Sequence, residues 1–508
     1  MRLNILIGGK AGQGINKVSE IVSNILASQG YFTFNYRDYP SLIRGGHNFN
    51  ILSVSDKRVG SIESKLDIIV ALDEKTLSIH KNSLKKNSIS VNFEKFQNHG
   101  KNINIALAGA LTKILSIEKE TLIEEIKKHF NNKEAISAAE NGYDSENKKF
   151  ELKKLNNKIT IMTGSRAVAQ GAINSKIDLY LGYPMTPATA LMNELASHQI
   201  ANNFLAFQPE SEIGGINQAI GASFAGAKTM IGTSGGGFDL ITEALSLQGQ
   251  TEIPLVIYLA SRPGPSTGIP TYSTQADLDV ALRAGHGEFP RILIAPGDPI
   301  EAVEKTNEAF YLAQKFNALS IILTDKHLAE SEFSSDKKPN KVLEIKSNRK
   351  FPGNAIVKAN SYEHDKFGNT AESPELTKQN ADARIKKYNQ IKKECNKFEM
   401  IKIYNNLHSK NIIISWGSNK TAVLDAIEGL DCKFIHVLYI KPMSDKIKDE
   451  MQKAKKIILI ENNSTGQLGR IIREKTGLKI KEENRILKYD GRPFLSDELR
   501  NEIEKRLK

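Results

Sequence analysis

Gly182-Tyr183-Pro184-Met185-Thr186-Pro187-Ala188-Thr189 is followed by Gln208-Pro209-Glu210-Ser211-Glu212-Ile213-Gly214-Gly215. Further on comes Ser261-Arg262-Pro263-Gly264-Pro265-Ser266-Thr267-Gly268-Ile269-Pro270-Thr271. Each piece comes after a short apolar run, at 177–181, 204–207 and 254–260. Apolar runs of that length, bounded by turn residues, read as buried strands. A helix-like or turn-rich stretch follows each piece. All three then fall at the carboxyl ends of strands in an open α/β sheet, where side chains and helix N-termini converge and ligands bind.

Each piece also has a plainer reading. Pro184 and Pro187 rigidify a turn. The Thr186 hydroxyl caps a helix or closes that turn. Glu210 and Glu212 open a helix and answer its dipole. Arg262, ahead of Pro-Gly-Pro, is a surface cation. The helix expected over 213–227 is rich in Gly and Ala, so it packs very closely on a neighbour or a ligand. Thr229–Thr233 is a strand, and 234–238 is another strand-end loop.

The chain of 508 residues is too long for a single core. No apolar run reaches transmembrane length. The N-terminus enters a strand and a glycine turn at once, without a leader pattern, and a cytoplasmic protein is expected. The net charge of +12 comes from lysines spread among acidic residues. That pattern fits a lysine-rich background, or a field that steers an acidic electron carrier, better than a nucleic-acid site. Cys395 and Cys432 stand far apart without ligand spacing, so no metal or iron–sulfur site is expected on this chain.

In chain order, residues 1–135 read as one α/β domain. A strand at 3–7 leads into Gly8-Gly9-Lys10-Ala11-Gly12-Gln13-Gly14 and an amphipathic helix from Ile15. The loop either cradles a phosphate at the helix start or is a tight turn; its order is not the dinucleotide fingerprint. An Arg44-Gly45-Gly46-His47 loop follows. Residues 136–158 are polar and read as a linker. Residues 159–330 hold the three motifs. Residues 331–400 are charged and mostly irregular, with Glu363-His364-Asp365 inside; three adjacent residues do not all face one ion. Residues 401–508 are a smaller α/β domain with strands at 411–416, 434–438 and 456–461. The fold class expected is α/β, in several domains.

Together, in this order, the Tyr-Pro-x-Thr-Pro and Gly-Pro-Ser-Thr-Gly-x-Pro-Thr patterns resemble the alpha subunit of the 2-oxoacid:ferredoxin oxidoreductases, which use thiamin diphosphate. The first domain resembles that family's gamma subunit, with its Gly-Gly-x-x-Gly-Gln-Gly and Arg-Gly-Gly loops, a part concerned with assembly and placed near coenzyme A. The last domain resembles the transketolase C-terminal fold, and Tyr489-Asp490-Gly491-Arg492-Pro493-Phe494 matches the family's tail. Residues 159–330 would be the pyrimidine-binding domain. The family has Ser-Gly-Pro-Gly where this chain has Ser234-Gly235-Gly236-Gly237. Gly285-His286-Gly287-Glu288-Phe289-Pro290-Arg291 looks most like the 2-oxoglutarate branch.

The resemblance implies roles. Glu212 would be the catalytic carboxylate on the cofactor's pyrimidine, with Glu210 the runner-up. Glu210, Thr233 and Ser234 would join Glu212 in binding the cofactor. Arg262, nine positions before Thr271, would pair the substrate carboxylate. Thr186 and Thr271 would donate hydroxyls to the substrate, and Tyr183 and Pro184 would shape the pocket. Asn462, Thr465 and Gln467 are candidates for a polar wall or an interface. No Gly-Asp-Gly motif for the diphosphate and its Mg occurs, so this chain carries half a site. A beta subunit would bring that half and a [4Fe-4S] cluster, in an alpha-beta heterodimer or (alpha-beta)2 heterotetramer. Ferredoxin would take the electrons, coenzyme A the acyl group, and the chain alone should be inactive. Other readings are a pyruvate or branched-chain member, a non-redox thiamin enzyme half, and a non-catalytic assembly subunit. No nucleic acid or membrane partner is expected.

Overall fold

The computed structural model describes residues 1–41, 46–347 and 349–508. Contacts divide the chain into two compact units. One holds residues 1–162, 331–338 and 494–501; the other holds 163–330, 339–493 and 502–508.

The first unit is built on a seven-stranded mixed sheet. In it Arg2–Lys10 pairs antiparallel with the central strand His47–Ser55, from Arg2↔Ser55 to Lys10↔His47, and parallel with Leu66–Ala71. The apolar stripe of Ile15–Ser28 (Ile15, Val18, Ile21, Val22, Ile25) is buried on this sheet, as its helical spacing requires. The glycine loop closes on itself: Gln13 Oε1 accepts from the Lys10 amide at 2.7 Å. Arg44 and Gly45 lie outside the described residues.

The stretch expected as a linker corrects the sequence reading. Lys133–Asp144 is a helix capped by Asn132, which buries Ala135, Ala138, Ala139, Gly142 and Tyr143. It lies on the helix Ile103–Ile114 at nearly backbone contact. A Cβ on Gly109 would meet the Ala139 carbonyl at 2.1 Å, and one on Gly142 the Ala106 carbonyl at 1.9 Å. The polar clusters that looked like linker are its exposed face. Only 145–158 runs without helix or strand.

In the second unit a seven-stranded sheet runs in the order Tyr439–Lys441, Arg291–Ile294, Leu319–Asp325, Leu255–Ser261, Thr229–Thr233, Leu179–Gly182, Leu205–Phe207. All its pairs are parallel except that of Tyr439–Lys441 with Arg291–Ile294. The central strands are wholly buried, in keeping with their continuous apolar sequence. Leu205–Phe207 departs from the expectation. It is the edge strand, with Leu205 51% and Phe207 44% exposed. A five-stranded sheet lies in the same unit, ordered Ile401–Asn405, Lys433–Val437, Asn411–Trp416, Lys456–Glu461, Arg485–Leu487. In the arm at 331–400, read from sequence as mostly irregular, Pro374–Cys395 is a helix capped by Ser373.

Candidate active site

The three motifs all begin where parallel strands of one sheet end: Leu179–Gly182, Leu205–Phe207 and Leu255–Ser261. The fourth strand end, at Thr233, leads into 234–238. That stretch is not a loop but the start of a short helix, Gly235–Leu240. Without the proline of the family pattern, consecutive glycines turn straight into it.

Glu212 is the first residue of the helix Glu212–Phe224, whose N-cap is the Ser211 hydroxyl, accepting from the Gly214 amide at 3.1 Å. The cap therefore belongs to Ser211, and Glu212 is free to turn inward. It is 5% exposed, and its Oε1 is buried without a hydrogen-bond partner. A carboxylate opening a helix for its dipole alone would stay in water. A Cβ on Gly237 would lie 2.2 Å from Thr233 Oγ1 and 2.7 Å from Glu212 Oε1. Thr233, Gly237 and Glu212 thus meet at one point. Ser234 beside them is buried, its hydroxyl also unpartnered. Glu210 is exposed and does not share this enclosure.

Of the three glycines in the Glu212 helix, Gly215 alone is held at close approach, where a Cβ would meet Pro209 at 2.9 Å. Gly214 and Gly221 have room.

Arg262 and Thr186 are brought together, through the backbone: Arg262 Nη1 donates to the Thr186 carbonyl at 2.9 Å. The Thr186–Pro187 and Gly264–Pro265 peptides are cis. Arg262 Nε is buried and unpartnered. Burial lowers the guanidinium pKa, while the charges of Asp277 and Glu212 oppose that shift. Thr271 is buried at the end of a folded loop. The Ile269 amide donates to the Pro263 carbonyl at 3.2 Å, and at Gly268, with φ +55, a Cβ would sit 1.8 Å from that oxygen. Only glycine closes this loop. Tyr183 and Pro184 stand exposed at its rim.

Sequence reasoning missed Asp277, which precedes the short helix Leu278–Arg283 and does not cap it. Its Oδ2 is buried without a partner, and a Cβ on Gly235 would come 2.7 Å from that oxygen. Burial pushes this carboxyl up to about 6; Asp239 adds to the shift, while the Ser261 hydroxyl and the Arg262 charge oppose it. The one available signal was an acidic residue six places after Thr271 with an apolar helix behind it.

Other candidates have structural partners. Asn462 and Gln467 join the two sheets of this unit. The Gln275 amide donates to the Asn462 carbonyl, the Asn462 amide donates to Gln275 Oε1, and Gln467 accepts from the Asp279 amide and donates to the Ala276 carbonyl. The Thr465 amide donates to Asn463 Oδ1 at 3.2 Å, and its hydroxyl accepts from Arg470 at 3.5 Å. Glu363 pairs with Arg384 at 2.6 Å, and Asp365 accepts from the Phe367 and Asn369 amides, so both serve the arm's own turn. In the 285–291 stretch, Phe289 presses on Gly249, and Arg291 stacks 4.5 Å from its ring. Among the described residues no group of three or more His, Cys, Asp or Glu is placed to hold a metal. Nor is any helix among them long and apolar enough to cross a membrane.

The crevice thus gathers a buried carboxylate, a guanidinium and several unsatisfied polar atoms at the ends of parallel strands. Its lining fits thiamin diphosphate: the orphaned Glu212 oxygen, with Thr233 and the bare Gly237 backbone, makes a cradle that a side chain at 237 would fill.

Comparison with known proteins agrees. Residues 170–399 match the family model described as pyruvate flavodoxin/ferredoxin oxidoreductase, thiamine diP-binding, and residues 4–96 match pyruvate ferredoxin/flavodoxin oxidoreductase. The 2-oxoacid:ferredoxin oxidoreductase subunit alpha of Saccharolobus solfataricus is 29% identical over 99% of this chain and 98% of its own length. The 2-oxoglutarate synthase subunit KorA of Methanocaldococcus jannaschii is 31% identical over 68% of this chain and 99% of its own length. The fold is shared with the 2-oxoglutarate:ferredoxin oxidoreductase of Magnetococcus marinus, solved with 2-oxoglutarate, coenzyme A and succinyl-CoA bound. That likeness has a TM-score of 0.91 at 24% identity and covers all of both chains. The chain belongs to the 2-oxoacid:ferredoxin oxidoreductase family, as an alpha-subunit chain with a gamma-type domain fused ahead of it.

Proposed function

We propose that this chain is the substrate- and pyrimidine-binding half of an enzyme that oxidatively decarboxylates a 2-oxoacid. The products are an acyl-CoA, CO2 and two reduced ferredoxins, and 2-oxoglutarate is the favoured substrate. The observation that carries this is the buried Glu212 carboxylate, with one oxygen unsatisfied, in the crevice that also holds Arg262. The 2-oxoglutarate preference is supported by the relatives named for that substrate and by the 285–291 stretch.

Thiamin diphosphate, when bound, supplies a nucleophilic carbon that takes the substrate's keto carbon and keeps the electron pair left as CO2 departs. Glu212 Oε1 shares a proton with the pyrimidine ring, general acid–base work that suits an enclosed carboxylate. Thr233 and Ser234 line the same cradle. Arg262 pairs the substrate carboxylate through its free donors, held in place by its bond to the Thr186 carbonyl. Thr186 and Thr271 offer hydroxyls to the substrate, and Tyr183 and Pro184 wall the entrance.

The diphosphate, its Mg and a [4Fe-4S] cluster come from a beta subunit, in an alpha-beta pair or its dimer. Tyr183, Phe207, Ile213, Leu240 and Ile269 are each more than 39% exposed, on or beside the strand-end motifs. That apolar rim supports a covering partner. The domain division proposed is a first domain that runs through the helix Lys133–Asp144, a joint after it up to 158, then 159–330, an arm at 331–400, and 401–508, in cytoplasm.

The test is anaerobic viologen reduction by the complex of this chain with its beta subunit. It uses 2-oxoglutarate, pyruvate or 2-oxoisovalerate, each with and without coenzyme A. Reduction that needs both an oxoacid and coenzyme A, strongest with 2-oxoglutarate, is expected; the chain alone should give none. No reduction by a complex with intact iron and thiamin diphosphate would return the chain to the non-redox thiamin class.

A further inference from the structure

Residues 272–276 follow Thr271 directly, and 273–275 are buried without being helix or strand. A buried irregular segment must find partners for its backbone polar groups, since water does not reach them. Here one surface supplies them. The Ser273 amide donates to the Gly491 carbonyl at 3.0 Å, and the Gln275 amide to the Asn462 carbonyl at 2.7 Å. The Gln275 carbonyl accepts from Asn463 Nδ2 at 3.2 Å, and the Thr274 hydroxyl donates to the Asn462 carbonyl at 3.1 Å.

These partners share one place in the fold. Asn462 and Asn463 follow the strand Lys456–Glu461, and Gly491 comes after Arg485–Leu487; Trp416 ends the strand Asn411–Trp416. The three strands are neighbours and run parallel. The carboxyl ends of parallel strands are where an open α/β sheet takes its ligand. In the five-stranded sheet the chain's own segment fills that place. Gln275 is 1% exposed. Its Nε2 donates to the Trp416 carbonyl at 2.9 Å, and its Oε1 accepts from the Asn462 amide at 3.0 Å and from Asn419 Nδ2 at 2.7 Å. Tyr272, next to Thr271, lies 3.6 Å under the Arg492 guanidinium. The same tail presses on both ends of the loop before Thr271. A Cβ on Gly491 would stand 2.8 Å from Ile269 Cδ1 and 3.7 Å from Pro263 Cγ, beside Arg262.

We propose that the five-stranded sheet takes residues 272–276 as its ligand, and that Gln275 is the positioning residue through which it fixes Thr271 and Arg262 for the oxoacid. Gln275 acts through the loop, not on the substrate. The role rests on the reading of the crevice as the oxoacid site.

Gln275→Met keeps the length of the side chain and removes its three hydrogen bonds. On the complex with the beta subunit, the Michaelis constant for the oxoacid should rise about tenfold or more, the scale on which a small misplacement of binding groups acts. That for coenzyme A should stay within about twofold. Asn419→Ala removes one of those bonds from the far side and should raise the oxoacid constant by about threefold or more. Amide hydrogen exchange at Ser273 and Gln275 should be slow in the wild type and quicker in both variants. A seam that only joins the two sheets would lower the melting point and the yield of active enzyme, and leave the oxoacid constant of the surviving enzyme unchanged. That result in Gln275→Met overturns the positioning role; should the methionine variant not fold, the same result in Asn419→Ala does so. Fast exchange at both amides in the wild type overturns the clamp itself. A wild type with slow exchange that reduces viologen with no oxoacid overturns instead the reading of the crevice, and the positioning role with it.

Discussion

Glu212 and Glu210 are two residues apart in sequence and opposite in setting. One is enclosed with an unsatisfied oxygen, the other open to water. Glu212→Gln is expected to lower oxoacid-dependent viologen reduction by about a hundredfold or more, the scale of a lost acid–base group. Glu210→Gln should stay within about twofold. Equal losses in the two variants, assayed side by side, would remove Glu212 from its role. Arg262→Ala takes away both the substrate's cation and the clamp on the Thr186 carbonyl. The Michaelis constant for the oxoacid should rise more than about tenfold, the loss of a charge-assisted pair. An unchanged constant would place the carboxylate elsewhere.

At the scale of elements, the site depends on how close a helix start can come to a strand end. Gly237 and Gly236 test this as neighbours. A Cβ at 237 would strike Thr233 Oγ1 and Glu212 Oε1, whereas at 236 the nearest atom is the Ser266 carbonyl at 4.0 Å. Gly237→Ala should cost roughly 1–3 kcal/mol through overpacking and most of the activity, while Gly236→Ala should leave both nearly intact. Thermal melting and the viologen assay would read this; two alanines that behave alike would mean the cradle has slack. The same close-approach logic explains the helix Lys133–Asp144, whose Gly142 meets the Ala106 carbonyl and whose Ala139 carbonyl meets Gly109 across a helix pair. Its Asn, Lys and Glu face water, and they made the stretch look like linker in sequence.

At the scale of the whole molecule, a buried charge network ties the two sheets of the second unit together. Glu301, on the helix Pro299–Phe316, bonds to Lys420 Nζ at 2.6 Å, His436 Nε2 at 3.1 Å and the Gly297 amide at 2.9 Å. Lys420 also pairs with Asp298. Burial by itself would raise the Glu301 carboxyl, but the charges of Lys420, His436 and Lys402 outweigh it and hold the pKa well below its ordinary value. A carboxyl with a depressed folded pKa gives stability that is whole above its unfolded value of about 4.5 and is lost as pH falls through the folded one. The melting temperature should therefore fall steeply below about pH 4.5, and Glu301→Gln should flatten that fall while lowering the neutral-pH melting point. Parallel pH curves for the two proteins would contradict this account.

Sequence by itself determined the α/β class, four strands of the parallel sheet (at 177–181, 204–207, 229–233 and 254–260), the order of the three motifs at their ends and the family; the strands Arg291–Ile294 and Leu319–Asp325 it did not read. Those signals are local: apolar runs, turn residues and helix starts are set by each segment's own chemistry. It did not tell that Phe207 lies on an exposed edge, since edge and centre strands have the same short apolar run and differ only in what pairs beside them. Nor did it distinguish the enclosed Glu212 from the open Glu210, or find Asp277. Whether a carboxylate is buried, and which guanidinium it meets, depends on atoms from strands far apart in the chain. Only the packed sheet brings Ser234, Arg262 and Asp277 to one crevice.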